Sequence, residues 1–307
     1  MSAKASTLKS SIENFIRRQG IDAEMEQNLV KEAIHLHLLS AMSDAGILRY
    51  AVFQGGTALR LCYSGERYSE DLDFVCGKSG SYFTDVEFRD LIETALQTTK
   101  KTLSRDFGID SNQISLKKPE HPDLVRQPAV NVAAWQIIVP VEANRNAPKS
   151  RIKIEFANVP AYATKPMPVR TTPGLVQVED VILTVETPDE ILADKAVALT
   201  ARAALKFRDV WDAWFLHNTL DAKADWDIVH KKFDDYGTSH ADVKAKKRLA
   251  ELSEKSTADA FLAEMRRFLP AKRVKQIYDS GLDKSILADS GALLRQSVLP
   301  VTGHQLK

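Results

Sequence analysis

The sequence predicts an α+β protein, a domain of mixed α/β character with a mixed sheet followed by a helical domain, on three observations. Apolar runs with strand-like patterning and segments with helical periodicity interleave up to about residue 186. From Thr187 onward strand patterns vanish, and helices separated by short breaks continue to about residue 297. With 307 residues, 44% of them hydrophobic, the chain is long enough for one large or two ordinary domains with a real core. The division near residue 186 gives domains 1–186 and 187–307.

The elements follow in order. Residues 22–45, "DAEMEQNLVKEAIHLHLLSAMSDA", carry apolar residues at helical spacing, among them Leu29, Ala33, Leu36 and Met42, with Asp22 as N-cap and Gly46 as stop. His35 and His37 lie two apart on that helix, so they point to different sides and do not form an i, i+4 metal pair. A short apolar segment "YAVF" precedes a glycine break, "TALRLCY" has helical composition, and "DLDFVC" reads as a strand. Residues 85–105 form another helix, after which "NVAAWQIIVPV" and "RIKIEFANV" read as buried strands. In the helical part the breaks fall near Thr219, Gly237, Pro270 and Gly281. "TPDE" is a capping box, with Thr187 as N-cap, Pro188 in the first turn and Glu190 at N3.

Bulk properties narrow the function classes. The net charge of +1 does not by itself mark a nucleic-acid binder. Residues 200–307 hold 19 Lys+Arg against 15 Asp+Glu, and the preceding part holds 23 against 26. That mild asymmetry suits a metal-and-nucleotide site joined to a polyanion-holding surface, and solvated helix faces account for it equally well. No apolar stretch reaches a membrane span and the N-terminus lacks a secretory core, so a cytoplasmic location with no membrane partner is expected. Cys62 and Cys76 have neither CxxC spacing nor a neighbouring His, and read as small core residues.

The chemistry concentrates in "GGTALRLCYSGERYSEDLDFVCG". In a strand, Asp71 and Asp73 point to one face while Leu72 and Phe74 point to the core. Two carboxylates so placed can bracket divalent ions, which remove the like-charge penalty; a solvated strand edge is the alternative. Gly55 and Gly56 after a strand, with Thr57 opening a helix, build a turn where N–H groups and a hydroxyl can approach a triphosphate. In "RIKIEF", Ile152, Ile154 and Phe156 take the core face and leave Lys153 and Glu155 side by side on the other. There Glu155 could ligate metal or take a proton, and Lys153 could hold phosphate; an ion pair of an edge strand is the plain alternative. Arg67 and Ser69 precede the aspartates in a loop, where Arg67 could grip phosphates or pair with Glu66 or Glu70.

"FQGGTALRLCY" followed by "RYSEDLDF" resembles the AbiEii/AbiGii nucleotidyltransferases, toxin components of type IV toxin–antitoxin and abortive-infection systems. They belong to the polymerase-beta-like superfamily, marked by Gly-Ser/Thr, a spacer and Asp-x-Asp. "DEILADKAVALTAR" is similar to the family's Glu-x-x-x-Asp-Lys helix, here Glu190, Asp194 and Lys195, and "FRDVWDAWFL" to its Arg-Asp-x-x-Asp helix, here Arg208, Asp209 and Asp212. The likeness runs from residue 55 to about 216. It implies a polymerase-beta-like core and an NTP held with Mg²⁺, or alternatively Mn²⁺, by Thr57, Asp71 and Asp73. It further implies Lys195 on the phosphates or the developing charge, with Asp209 or Asp212 near the active centre. It implies nucleotide transfer as the chemistry, with the 3′ end of tRNA as acceptor, and a cognate antitoxin as partner. On residues alone, Lys195, Ala198 and Arg202 form either a solvated stripe or a cationic wall, and Asp209 either pairs with Arg208 or Lys206 or serves the site.

For an RNA acceptor the candidates are "HKKF" near residue 230, "KAKKR" at 244–248 and "RR" at 266–267, with Trp226 and Tyr236 among them; solvated helix faces are the alternative. A small-molecule nucleotidyltransferase of the antibiotic-modifying kind, or a non-catalytic regulator of the same fold, would carry the same Gly-Thr and Asp-x-Asp residues.

Overall fold

The structure is a computed structural model in which residues 8–77, 86–119, 132–141 and 149–298 are described. The first positions of two expected elements, 85 and 131, lie outside the described residues. The described residues fall into two compact units. The first runs to residue 160 and adds 164–185; the second holds 161–163 and 186–298.

The first unit is built on a seven-stranded mixed sheet, with strands β1 (Val52–Gln54), β2 (Leu72–Val75), β3 (Ser115–Lys117), β4 (Val132–Pro140), β5 (Lys149–Ala157), β6 (Thr164–Pro168) and β7 (Ile182–Glu186). Their order is β3-β4-β5-β2-β1-β7-β6. Strand β2 runs antiparallel to β1 and parallel to β5, and β4 is antiparallel to β5. The helices are α1 (Leu8–Gln19), α2 (Glu26–Asp44), α3 (Gly55–Cys62) and α4 (Val86–Phe107).

Two local expectations shift. Asp22 does cap, but it caps the 3-10 turn Ala23–Met25, its carboxylate accepting from Glu24 N at 3.0 Å, and α2 itself starts at Glu26. Asp71 stands just ahead of β2 rather than inside it. Strands β3, β6 and β7 had no reading in the sequence: they are three to five residues long, and β6 contains two prolines, which removes the ladder pattern that signals a strand.

An aromatic row sets the register. Phe53, Phe74 and Phe156 face one another across β1, β2 and β5 as direct register partners, with ring centroids 5.0 Å apart at both steps. Phe88 of α4 and Trp135 of β4 close edge-on against Phe156. All five are essentially fully buried. Because side chains alternate along a strand, this row commits the next one, Gln54, Asp73 and Glu155, to the opposite face. A one-residue slip would bury the carboxylates and expose three phenylalanines, so burial itself fixes where the acidic groups stand.

The second unit is helical: α5 (Pro188–Ala201), α6 (Phe207–Leu220), α7 (Trp226–Asp235), α8 (Ala241–Leu252), α9 (Thr257–Met265), α10 (Ala271–Ser280) and α11 (Leu282–Ser297). Helix α5 packs against α6, α7, α8 and α11, and its buried residues, from Ile191 through Ala196 to Leu199, circle the helix, as a central helix requires.

Candidate active site

The acidic group is assembled by two adjacent strands, β2 and β5, with Gln54 of β1 beside it. Gln54 pairs with Asp73 and Asp73 with Glu155 in register, so Asp73 and Glu155 stand on neighbouring strands about 4.8 Å apart at the backbone. Lys153 lies two residues before Glu155 on the same face and pairs with it at 3.0 Å. Asp71 joins from the edge of β2, its Oδ1 accepting from Lys153 N at 3.2 Å. Burial raises the Asp71 pKa, the Lys153 N–H opposes the rise, and the charges of Glu70 and Glu155 add to it. Lys153 is raised in turn by its hydrogen bond to Glu155 and by the negative field of Glu155, Asp71 and Asp73. This is a focus of negative potential partly reached by solvent, since Asp71, Asp73 and Glu155 are all half-buried.

The glycine pair faces that group. Gly55 has φ +77°, and a Cβ there would come within 2.8 Å of Asp73 Oδ2. A Cβ on Gly56 would lie 2.2 Å from an Nη of Arg67 and 3.0 Å from Ser69 Oγ. The N-terminus of α3 therefore carries, against bare backbone, the Asp73 carboxylate on one side and the Arg67 guanidinium with the Ser69 hydroxyl on the other. Gln54, at the N-cap, makes no side-chain cap bond, so the first-turn N–H groups keep the positive end of the helix available to an anion. Thr57 is buried, and its hydroxyl donates to the Asp71 carbonyl, tying α3 to the residue just ahead of β2.

The loop between Cys62 and Asp71 is held in part by residues that had no role in the sequence reading, Lys31, Glu32, Arg60 and Tyr68. Arg60 of α3 donates to Glu32 of α2 at 2.7 Å and to Gly65 O at 3.1 Å, and lies over the Tyr68 ring. Arg67 donates to Tyr68 O at 2.8 Å. Lys31 pairs with Glu70 at 2.7 Å, and buried His35 bonds Glu70 O at 3.0 Å. Burial lowers the His35 pKa to about 4, so the neutral ring donates to that carbonyl. The signal was present: Glu32 and His35 are polar residues on a helix whose surroundings are otherwise apolar, and buried polar groups are buried because something needs them. Cys62 and Cys76 are core residues, their thiols pushed up to about 12 by burial.

Lys195, Asp209 and Asp212 belong to the second unit and form a set of their own. Lys195 Nζ lies 2.9 Å from Asp209 and 2.8 Å from Asp212, and Arg202 lies 3.3 Å from Asp209. Asp209 thus pairs with Lys195 and Arg202, partners that neither alternative of the sequence reading named. The adjacent Asp194 points to the other flank of α5, where Lys232 of α7 meets Glu186, Glu190 and Asp194 at 3.3, 2.9 and 2.8 Å. Glu190 corrects the capping-box reading by half. Thr187 does accept from Glu190 N, but the Glu190 carboxylate accepts from Tyr162 N and Ala163 N and pairs with Lys232. In this cluster the Glu186 pKa is raised well above its usual value by burial and by Asp194. Burial alone would lower the Lys232 pKa, and its three carboxylates raise it instead.

The basic runs are corrected in the same way. Lys232 and Arg248 are buried; Arg248 donates to Leu199 O and Arg202 O. Lys231, Lys246, Lys247 and Arg266 remain exposed, while Trp226 and Tyr236 pack against the α5–α7 core. Arg208, from the third motif, lies over the Phe268 ring.

Among the described residues no group of three or more His, Cys, Asp and Glu side chains is arranged to hold a metal ion, and no helix is long and apolar enough to cross a membrane. The donor set nevertheless fits Mg²⁺, a hard cation that takes one or two carboxylates and completes its shell with water and substrate phosphate. Asp71 and Asp73 are the residues that would supply that pair, and the like-charge contribution that raises Asp71 is what a cation would relieve.

The family model described as nucleotidyl transferase AbiEii toxin, type IV TA system, matches residues 37–280. No curated protein matches the chain. Among solved structures, JHP933 from Helicobacter pylori is similar at 17% identity and a TM-score of 0.49, covering 89% of this chain and 92% of that one. A provisionally assigned nucleotidyltransferase from H. pylori is similar at 18% identity and a TM-score of 0.49, covering 89% and 95%.

Proposed function

The chain belongs to the AbiEii nucleotidyl transferase toxin family of type IV toxin–antitoxin systems, and from that premise we propose that it transfers a nucleotide from an NTP to an RNA 3′ hydroxyl, with tRNA as acceptor. The observation that carries the reading is the pairing of Asp73 with Glu155 on neighbouring strands, with Asp71 accepting from Lys153 N beside them, next to the bare N-terminus of α3. Membership of the family implies an NTP substrate and a cognate antitoxin. Blocked translation is the expected consequence of capping tRNA ends.

The residues divide by chemistry. The N–H groups of Gly55 and Gly56, with Arg67, Ser69 and Lys153, receive the triphosphate. Asp71 and Asp73 would hold Mg²⁺, which when bound neutralises charge on the phosphates. Lys153 already occupies one oxygen of Glu155, which leaves Glu155 better suited to accept the proton of the attacking hydroxyl than to complete a metal shell. The acceptor oxygen forms its bond to the α-phosphorus as the bond to pyrophosphate breaks, so the catalytic contribution is positioning and electrostatics. Thr57 acts through Asp71, by anchoring its carbonyl. We assign Lys195, Asp209 and Asp212 to holding α5 against α6, because Lys195 is already neutralised by two carboxylates.

The test is to incubate the protein with Mg²⁺, bacterial tRNA and each α-³²P-labelled NTP in turn. Label on tRNA from at least one NTP supports the reading. Label on no RNA, with label on a protein or small molecule, overturns the acceptor assignment.

A further inference from the structure

A second basic feature lies in the sheet unit, apart from the residues assigned above. A cavity of about 440 Å³ is walled by Lys9, Lys31, Lys149 and Arg151, with Glu26 as the one carboxylate among the described residues of its lining. Lys31 pairs with Glu70, the residue before Asp71. Lys149 and Arg151 are exposed and, among the described residues, neither has a carboxylate partner within 4.0 Å. Ser150, between them in sequence and on the opposite face of β5, also lines the cavity; it is nine-tenths buried, and its hydroxyl has no hydrogen-bond partner among the described residues.

Strand β5 connects this cavity to the acidic group. By alternation Lys149, Arg151, Lys153 and Glu155 share one face, at steps of about 6.6 Å. The three cations therefore form a row that runs away from the carboxylates, and Lys149 stands about 20 Å from Glu155. A triphosphate whose α-phosphorus lies beside Asp73 is far too short to reach Lys149. A polynucleotide with its 3′ end at the same point is not, because each nucleotide adds another phosphate along the row.

We propose that the Lys149–Arg151 cavity is the phosphodiester subsite for the acceptor strand, holding the RNA backbone upstream of the 3′ hydroxyl. This rests on the reading of the protein as an RNA-directed nucleotidyltransferase and names residues for it. The same phosphate chemistry could in principle serve the NTP, so the experiment separates the two.

Full-length wild type, Lys149→Glu/Arg151→Glu and the charge-conserving Lys149→Arg/Arg151→Lys are compared by fluorescence anisotropy with 5′-labelled tRNA over a series of salt concentrations, and by calorimetry with Mg²⁺ and NTP. The charge-reversed protein is expected to bind tRNA about 10-fold more weakly, with a salt slope shallower by about 1.4, the value for two lost contacts to a single strand. NTP affinity stays at the wild-type value, which also certifies the fold, and the conserving variant binds as wild type. Wild-type tRNA affinity and slope in the reversed protein overturn the proposal, as does lost NTP affinity with tRNA binding retained, or a wild type that binds no tRNA. A wild type that binds tRNA but transfers nothing to it sinks the functional reading alone, and the subsite is then judged on the binding curves.

Discussion

Replacing Gly55 with alanine tests whether the glycine exists to let Asp73 approach α3. Its φ of +77° costs an alanine about 1–2 kcal/mol in the left-handed region. The added Cβ would also sit 2.8 Å from Asp73 Oδ2, against the 3.4 Å at which ordinary contact begins, so the carboxylate must retreat by about 0.6 Å. A displacement of that order at a reacting centre costs roughly 10- to 100-fold in rate. Gly20, with φ +63° and nothing within 4 Å of its Cβ position, is the control, because it incurs the backbone cost without the collision. Both variants are expected to lose a similar few degrees of melting temperature, while only Gly55→Ala loses nucleotide transfer, measured as initial rate at saturating NTP. Equal rates in the two variants would refute the reasoning, since the close approach would then have no bearing on the carboxylate.

Two other outcomes follow from buried charges. Lys232→Met leaves Glu186, Glu190 and Asp194 without their cation in a site where Lys232 is 1% exposed; it is expected to destabilise by about 3–5 kcal/mol in urea unfolding, and a loss under 1 kcal/mol would show the carboxylates repacking or protonating at little cost. His35 is held neutral by burial, its pKa lowered from 6.5 to about 4. A lowered folded-state value contributes stability above pH 6.5 that is lost as pH falls through 4, about 3 kcal/mol in all. The stability gap between wild type and His35→Gln should therefore shrink as pH is lowered across that window. A gap independent of pH would mean His35 titrates normally.

How much of this was legible depends on whether the cause was local. Alternation in "RIKIEF" and "DLDF" gave the core face and the face of Asp73, Lys153 and Glu155 directly, because strand periodicity and burial act within a few residues. Asp71 was placed inside a strand that begins one residue later, a difference of hydrogen bonding that side-chain type does not encode. Glu190 reads as a cap because the box is local, whereas its partner Lys232 is 42 residues away. Lys232 and Arg248 were readable in principle: Val229, Lys232, Phe233 and Tyr236, like Ala245, Arg248, Leu249 and Leu252, follow the i, i+3, i+4, i+7 stripe of a buried face. Treating the lysines as a charge run hid that spacing. The cavity beside Lys149 is formed by α1, α2 and the ends of β4 and β5, and no single window of sequence contains it.

The central claim is that Asp73 carries the chemistry without carrying the fold. Asp73→Asn keeps the shape of the side chain and removes its charge, so the variant should melt with the wild type while its rate of label transfer from NTP falls by on the order of 10²–10³-fold. Transfer at the wild-type rate in a folded Asp73→Asn protein would contradict the account.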